Sequence, residues 1–311
     1  MTVTDPTSPD PGIAIANPTW VRRRAAVRAL GREFWGSRPG RYGLLILLVF
    51  VLLALAAPLI ADRSGLDTAI ARADGVPQWA SPSEHPPLGT DYLRRSVWTQ
   101  FVWGSRVSLF VGLAATIVTI ALGSIIGVVS GFLGGRIDSF LMRLTEWFLV
   151  IPFLPLAIVL ASVLGRSIWN IIFVIGVTSW PSTARLVRAQ VLTVKQRLFV
   201  DRARSLGASR THIVFRHIMP NVSGLILANA TLAVPISILT ETTLSFLGLG
   251  DPRRPSWGKT LVEAFENGAI TLRAWWYFVP AGVGILLVVL AFTLIGQTLE
   301  QIADPRLKGR R

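Results

Sequence analysis

Apolar runs of about twenty residues alternate along this chain with short basic segments, and they are long enough to cross a bilayer. The first covers residues 42–60. It starts too far from the N-terminus and runs too long to be the apolar core of a cleaved signal peptide, so it reads as an uncleaved span. The second covers 107–129. The third, about 140–164, is interrupted by Pro152 and Pro155, which free backbone carbonyls and bend a helix. The fourth, about 168–186, is short and is expected to break at Trp180-Pro181; the fifth, 222–247, has Pro235 in its middle; the sixth covers 275–299. The pattern predicts an all-α integral membrane protein with six transmembrane helices. It divides into a disordered and basic tail (1–40), a first helix with a turn-rich external segment (41–105), and a five-helix core (106–311).

A polar, basic insert at 199–221 separates the fourth and fifth runs, within a longer loop at about 187–221. Phe199, Ala203 and Leu206 fall on one helical face, with Arg202 and Arg204 turned elsewhere. Gly207 stands where the helix must stop, since glycine enters the left-handed region without strain. Ser209 is placed to cap a second helix with Ile213, Val214, His217 and Ile218 on a common face, ended by Pro220. The expected product is a short helix-turn-helix held close to the membrane. A basic amphipathic loop lying on anionic lipid is the plainer reading of the same residues.

The formal net charge of +14 would fit nucleic acid, but its distribution points to the bilayer. With the N-terminus inside, 21 of the 31 Lys and Arg fall in inner segments, the bias of a multi-pass membrane protein with both termini cytoplasmic. Nucleic acid is not needed as a partner. There are no cysteines, and His85, His212 and His217 are scattered, so no metal site is expected. The string Gly258-Lys259-Thr260 has Arg253 where a phosphate loop needs glycine, so no nucleotide site is expected on this chain. Within the spans, Glu241 either lines the cavity or holds the neighbouring loop in place, and Glu146 reads as an ion-pair partner of Arg143. Asn170 and Asn229 read as interhelical hydrogen-bonding groups, with Asn229 also a candidate for the translocation path. Gly123, Gly127 and Gly131 recur at four-residue steps, a spacing that lets two helices approach closely, either within this chain or against another subunit.

The insert resembles the EAA loop of ABC import permeases: Asp201-Arg202-Ala203 stands at the EAA position, Gly207 at its glycine, and Ile218-Met219-Pro220 at its end. Asp replaces Glu there, and Arg202 replaces the first alanine. Over about residues 40–307 the chain is similar to the dipeptide, oligopeptide and nickel branch of these permeases. The matches include His85-Pro86-Pro87-Leu88-Gly89-Thr90-Asp91 (with Arg94 and Ser96 in place of a Gly and an Asp), Gly104 to Gly112, Gly134 to Arg143, Ala184 to Gln190, Glu241 with Leu244 to Gly250, Pro255 to Gly258, and Asp304 to Leu307. The resemblance implies a type I ABC importer fold and a bacterial cell membrane location. It implies half of a pore completed by a second homologous permease. Two cytoplasmic ATPases would hold the ATP and magnesium, and an external binding protein would deliver the solute. It also assigns the loop, from Phe199 through Pro220, as the coupling helix. The absence of cysteine and of a histidine cluster favours short peptides over nickel as cargo. A secondary transporter would want several mid-membrane acids and repeated broken helices, and a membrane scaffold would use the basic loop only to hold a partner.

Overall fold

The computed structural model describes residues 31–303, and every strand-like contact there is limited to one isolated bridge, Thr90 with Ser96. The tail expected at 1–19, the arginines of 22–28 and the match at Asp304–Leu307 lie outside the described residues. The helices are α1 (Arg38–Ile60), α2 (Thr68–Ala73), α3 (Val97–Leu133), α4 (Gly135–Val150), α5 (Phe153–Leu164), α6 (Ile168–Lys195), α7 (Leu198–Ser205), α8 (Arg210–Ile213), α9 (Met219–Phe246), α10 (Trp257–Glu266) and α11 (Trp275–Ala303). A π-turn over Val214–Ile218 joins α8 to α9. Polar residues set the starts: Ser37 accepts from the Gly40 amide ahead of α1, Ser96 from Thr99 ahead of α3, and Ser256 from Lys259 ahead of α10.

Four helical stretches are long and apolar enough to cross a membrane: Arg38–Ile60, Val97–Leu133, Arg210–Phe246 and Trp275–Ile302. A fifth counts only if α4 and α5, bent by 90° at Ile151-Pro152, are taken together. The six spans expected from the sequence therefore reduce to four or five by length and composition. The bend has a local cause, because Pro152 and Pro155 cannot donate to the preceding turn. The remaining expected span, α6, is 28 residues long, but from its middle onward it carries Ser179, Ser182, Thr183, Arg185 and Arg188. It can be polar because α3 covers much of its length.

The α3–α6 pair is the most extensive helix contact in the chain, and the glycine stripe makes it. A Cβ at Gly123 would stand 2.5 Å from Thr183 Cβ, one at Gly127 2.6 Å from the Ala184 carbonyl oxygen, and one at Gly131 3.0 Å from Val191 Cβ. The stripe thus serves packing inside this chain. α6 also runs straight through Pro181, where a break was expected; Trp180, Pro181 and Val187 are all buried, and packing holds the helix across the missing hydrogen bond. Pro220 does not end a helix either. It sits in the first turn of α9, where an absent N–H leaves nothing unpaired. Arg143 and Glu146 are both exposed, and among the described residues they form no pair with each other.

The long helices define two ends of the bundle. At one end lie the start of α1, the ends of α3 and α6, and the segment 198–218; at the far end lie residues 61–96 and 247–274. The far end is tied by a polar network. Asp91, whose side chain is fully buried, accepts from the Leu93 and Arg95 amides at 2.8 Å each, from Arg95 Nε at 2.7 Å and from Gln100 Nε2 at 2.9 Å. Arg95 Nη2 then reaches Glu263 on α10 at 2.6 Å, and the Tyr277 hydroxyl of α11 donates to the same carboxylate at 3.1 Å. Burial pushes the Asp91 carboxyl up from its ordinary value against the pull of Arg95 and the backbone amides. Burial also opposes the Arg95 charge, yet Asp91 and Glu263 outweigh it and hold that guanidinium above its usual range. Arg94, where the resembling pattern has glycine, adopts φ +69°, and Ser96, where it has aspartate, keeps the helix-capping role.

Two substitutions test these contacts by thermal melting of the detergent-purified chain. Gly127→Leu forces a side chain into the α6 backbone and is expected to cost about 1–3 kcal/mol, the scale of overpacking. Arg95→Met strands a buried Asp91 without its counter-charge and is expected to cost about 3–5 kcal/mol, with Lys at the same position recovering part of it.

Candidate functional site

The segment 198–218 is a capped knuckle whose turn is made by backbone chemistry. Gly207 has φ +81°; its amide donates to the Arg204 carbonyl at 3.0 Å, and the Ala208 amide donates to the Ala203 carbonyl at 3.0 Å. This pair of bonds is a Schellman closure, which satisfies the last carbonyls of α7. Ser209 Oγ then accepts from the His212 amide at 3.2 Å and caps α8. Nothing stands within 4 Å of a Cβ built at Gly207, so conformation rather than space demands glycine there.

The knuckle is seated by three fully or almost fully buried side chains. Val200, Ile213 and Ile218 pack with Val128 and Phe132 of α3, Val187, Val191 and Val194 of α6, and Val222 of α9. Its outer surface is apolar in places: Leu198 is 74% exposed, Phe215 69% and Leu206 88%. The face expected from Phe199, Ala203 and Leu206 is therefore turned outward, with Phe199 partly shielded by the His217 ring at 6.0 Å and Ala203 half-buried. Arg202 is exposed, and its carbonyl accepts the Leu206 amide. Asp201 pairs with Arg204 at 3.2 Å in full view of solvent, a contact of small energetic weight. Beside the seat, Arg188 of α6 grips Asp138 of α4 through two bonds of 2.6 and 2.7 Å, and Lys195 Nζ donates to the Phe132 carbonyl at 2.7 Å. These bonds join the ends of α3, α4 and α6 into one base.

A half-open cavity of about 340 Å³ lies between α3, the α4–α5 bend, α6 and α9. Asn229 lines it and donates to Thr183 Oγ1 at 3.0 Å. Glu241 lies elsewhere. It is fully buried and accepts from Ser245 Oγ at 2.8 Å and Ser108 Oγ at 3.2 Å, while Ser108 Oγ accepts the Trp257 amide at the start of α10. The carboxylate thus ties α9 to α3 and, through Ser108, to the α10 N-terminus. Asn170 holds the turn before α6, donating to the Leu164 and Gly165 carbonyls. A larger cavity of about 1270 Å³ opens at the far end, walled by Arg63, Arg106, Arg253, Trp103, Phe110 and Trp169 among others. Among the described residues, no group of three or more His, Cys, Asp or Glu is placed to hold a metal ion.

Sequence reasoning missed Val200, Thr183 and the Arg95–Glu263 bond. Val200 is one step from the helical face chosen on periodicity, and no local signal marks which face is seated. Thr183 carried no charge or motif of its own, although it lies between two matched stretches. Arg95 and Glu263 are 168 positions apart and only the fold brings them together.

The family described as "Binding-protein-dependent transport system inner membrane component" matches residues 123–309, which take in the knuckle, α6, α9 and the whole glycine stripe. The chain is 36% identical over 277 residues to the oligopeptide transport system permease protein of Bacillus subtilis, covering 89% of this chain and 88% of that one. It is 36% identical over 267 residues to the dipeptide transport system permease protein of the same organism, covering 86% and 81%. A putative peptide transport system permease protein of Brucella suis is 34% identical over 286 residues, covering 92% and 94%. A multi-pass helical bundle with this extent of likeness leaves one assignment: the chain belongs to the family of binding-protein-dependent transport system inner membrane components.

Proposed function

We propose that this chain is the membrane permease subunit of an ATP-driven importer of short peptides, and that residues 198–218 are its coupling element. The observation that carries the reading is the two-sidedness of the knuckle: Val200, Ile213 and Ile218 fasten it to α3, α6 and α9, while Leu198, Leu206 and Phe215 offer apolar side chains to a partner. Each of these three side chains is more than two-thirds exposed, and burying that apolar area in a groove of a soluble subunit would stabilise the contact. The permease relatives named for oligopeptide and dipeptide transport support peptides as cargo.

In this reading the polypeptide crosses the membrane six times, counting the bent α4–α5 pair and α6, with the knuckle and both termini in the cytoplasm. A second homologous permease completes the pore, and two ATPase subunits carry ATP and magnesium. An external binding protein delivers peptide to the far end, where the larger cavity opens. Closure of the ATPases pushes on Asp201 to Pro220. Because α6 and α9 share the knuckle's apolar seat and also wall the inner cavity, a rigid shift of the knuckle reaches the path directly. Asn229 belongs to that path. The buried bonds of Glu241 fit the holding role better than direct contact with solute, with Glu241 keeping the outer loop registered on α9.

The test places bulk at the turn. In Gly207→Trp, peptide uptake is expected to fall about tenfold or more, the scale of a lost coupling free energy. The permease pair should still be recovered from the membrane. Uptake at the wild-type rate sinks the coupling assignment. Affinity purification of the tagged wild-type chain is expected to bring a second permease and ATPase subunits, whereas a secondary transporter would come alone and ignore ATP depletion.

A further inference from the structure

The larger cavity, about 1270 Å³ at the far end, sits where the bundle leaves its apolar zone. Arg63 follows the end of α1 by three residues, Arg106 is the last charge on α3 before the uncharged stretch 107–133, and Trp169 is the second residue of α6. All three line the cavity. In a bilayer this level is the boundary with water, where tryptophan collects and long basic side chains reach outward. The charge there is unbalanced. Arg63, Arg106, Arg253 and Arg254 share the wall with two acids, and both acids are already engaged. Asp67 accepts from the Ala69 amide at 2.8 Å, and Asp251 from the Arg253 amide at 3.0 Å. Arg253 Nε stands 3.7 Å from Asp251, while among the described residues Arg63, Arg106 and Arg254 form no ion pair.

Trp103 makes a fixed pair of two of these cations. Its Nε1 donates to the Ala61 carbonyl at 2.9 Å, the residue is 8% exposed, and the Arg63 and Arg106 guanidiniums lie 4.2 and 5.6 Å from its ring centroid. A guanidinium held against an indole keeps its fork of N–H groups available to a phosphate. Beyond the arginines the surface turns apolar. Phe110, Leu113 and Ile117 are exposed on one face of α3, and Trp169 and Phe173 on one face of α6. The Phe110 and Trp169 rings meet edge to face at 5.9 Å, so the two strips join at the cavity.

We infer that this cavity seats the phosphate headgroup of an anionic phospholipid, with an acyl chain lying along Phe110, Leu113 and Ile117. A water-borne anion would use the arginines alone, whereas a phospholipid matches both the charged wall and the apolar strip that leads from it. The inference rests on the bilayer setting of the chain and is independent of the cargo. A lipid so placed braces the segments 63–69 and 251–255 against α3 and α6.

The experiment uses the protein purified with the subunits that travel with it and returned to phosphatidylcholine vesicles. A trace of phosphatidylglycerol with a photoreactive group at the top of its acyl chain is added, and adducts are located by peptide mass spectrometry. Labelling is expected on residues 103–117 and 167–173, about fivefold or more above that by the same probe with a phosphatidylcholine headgroup. Arg106→Gln is expected to lower it about fivefold, the contribution of one basic residue to anionic lipid, and Arg63→Gln likewise. Arg106→Lys, which keeps the charge, should retain most of it. Arg273→Gln, at an exposed far-end arginine outside the cavity wall, should leave it unchanged. Equal labelling by the two headgroups overturns the proposal, and so does labelling that neither Arg63→Gln nor Arg106→Gln lowers. Loss of labelling on adding inorganic phosphate or an acidic tripeptide, at an ionic strength where chloride has no effect, shows a water-borne anion in the cavity and overturns it too. None of these readouts measures uptake, so failure here leaves the peptide-importer reading standing.

Discussion

The closeness of α3 to α6 is the constraint on which the remaining geometry depends. Three glycines on one face of α3 remove its own side chains from the contact, so that it meets the Thr183, Val187 and Val191 side chains and the α6 backbone at Trp180, Ala184 and Arg188. Without a hydrophobic driving force between helices in lipid, such contact is what holds two helices in register. The consequences appear at both levels of the bundle. Lower down, the ends of the pair present Val128, Phe132, Val187, Val191 and Val194 as a single apolar seat for the knuckle. Higher up, the same register brings Thr119 of α3 and Ser179 and Thr183 of α6 to the lining of one cavity. A slip of one helical turn between α3 and α6 would misplace the seat and the cavity together.

What was legible in the sequence was mostly what local chemistry decides. The stop at Gly207 and the cap at Ser209 follow from hydrogen bonds among residues three to five apart, so the residue types announce them. The glycine stripe was legible as a close contact, but its partner was not, because spacing on one helix does not name the helix that faces it. Pro181 and Pro220 misled for a related reason. Proline fixes its own φ and removes one donor, but whether a helix breaks is settled by what surrounds it: buried packing in α6, and a π-turn followed by a fresh helix start at α9. Hydropathy does not mark α6 as a span, because its later part, which packs on α3 and lines a cavity, is polar. The departures at Arg94 and Ser96 became intelligible only with dihedral angles in hand. One tolerates a left-handed residue and the other exchanges one capping side chain for another.

The two ends of the bundle are fixed by different physics, and the difference bears on which of them can move. At the far end, Asp91, Arg95, Gln100, Glu263 and Tyr277 form a buried charged network in which every member has partners on another element. Buried networks of this kind are strongly disfavoured in any half-broken arrangement. The Glu241 contacts with Ser108 and Ser245 extend the tie from α9 to α3. At the knuckle end the fastening is apolar, with Val200, Ile213 and Ile218 in a valine-rich seat and a single bidentate pair, Arg188 with Asp138, beside it. Apolar contacts are non-directional, so a seat of valines can tilt through small steps at little cost, whereas hydrogen-bonded charges cannot. A push delivered at the knuckle would therefore be taken up between the two ends. That is the level of the α4–α5 bend and of the helix-interior prolines Pro181 and Pro235, where the intrahelical hydrogen-bond ladders are already interrupted. The inner cavity lies at that level, where the proposed rocking would change its volume and polar lining.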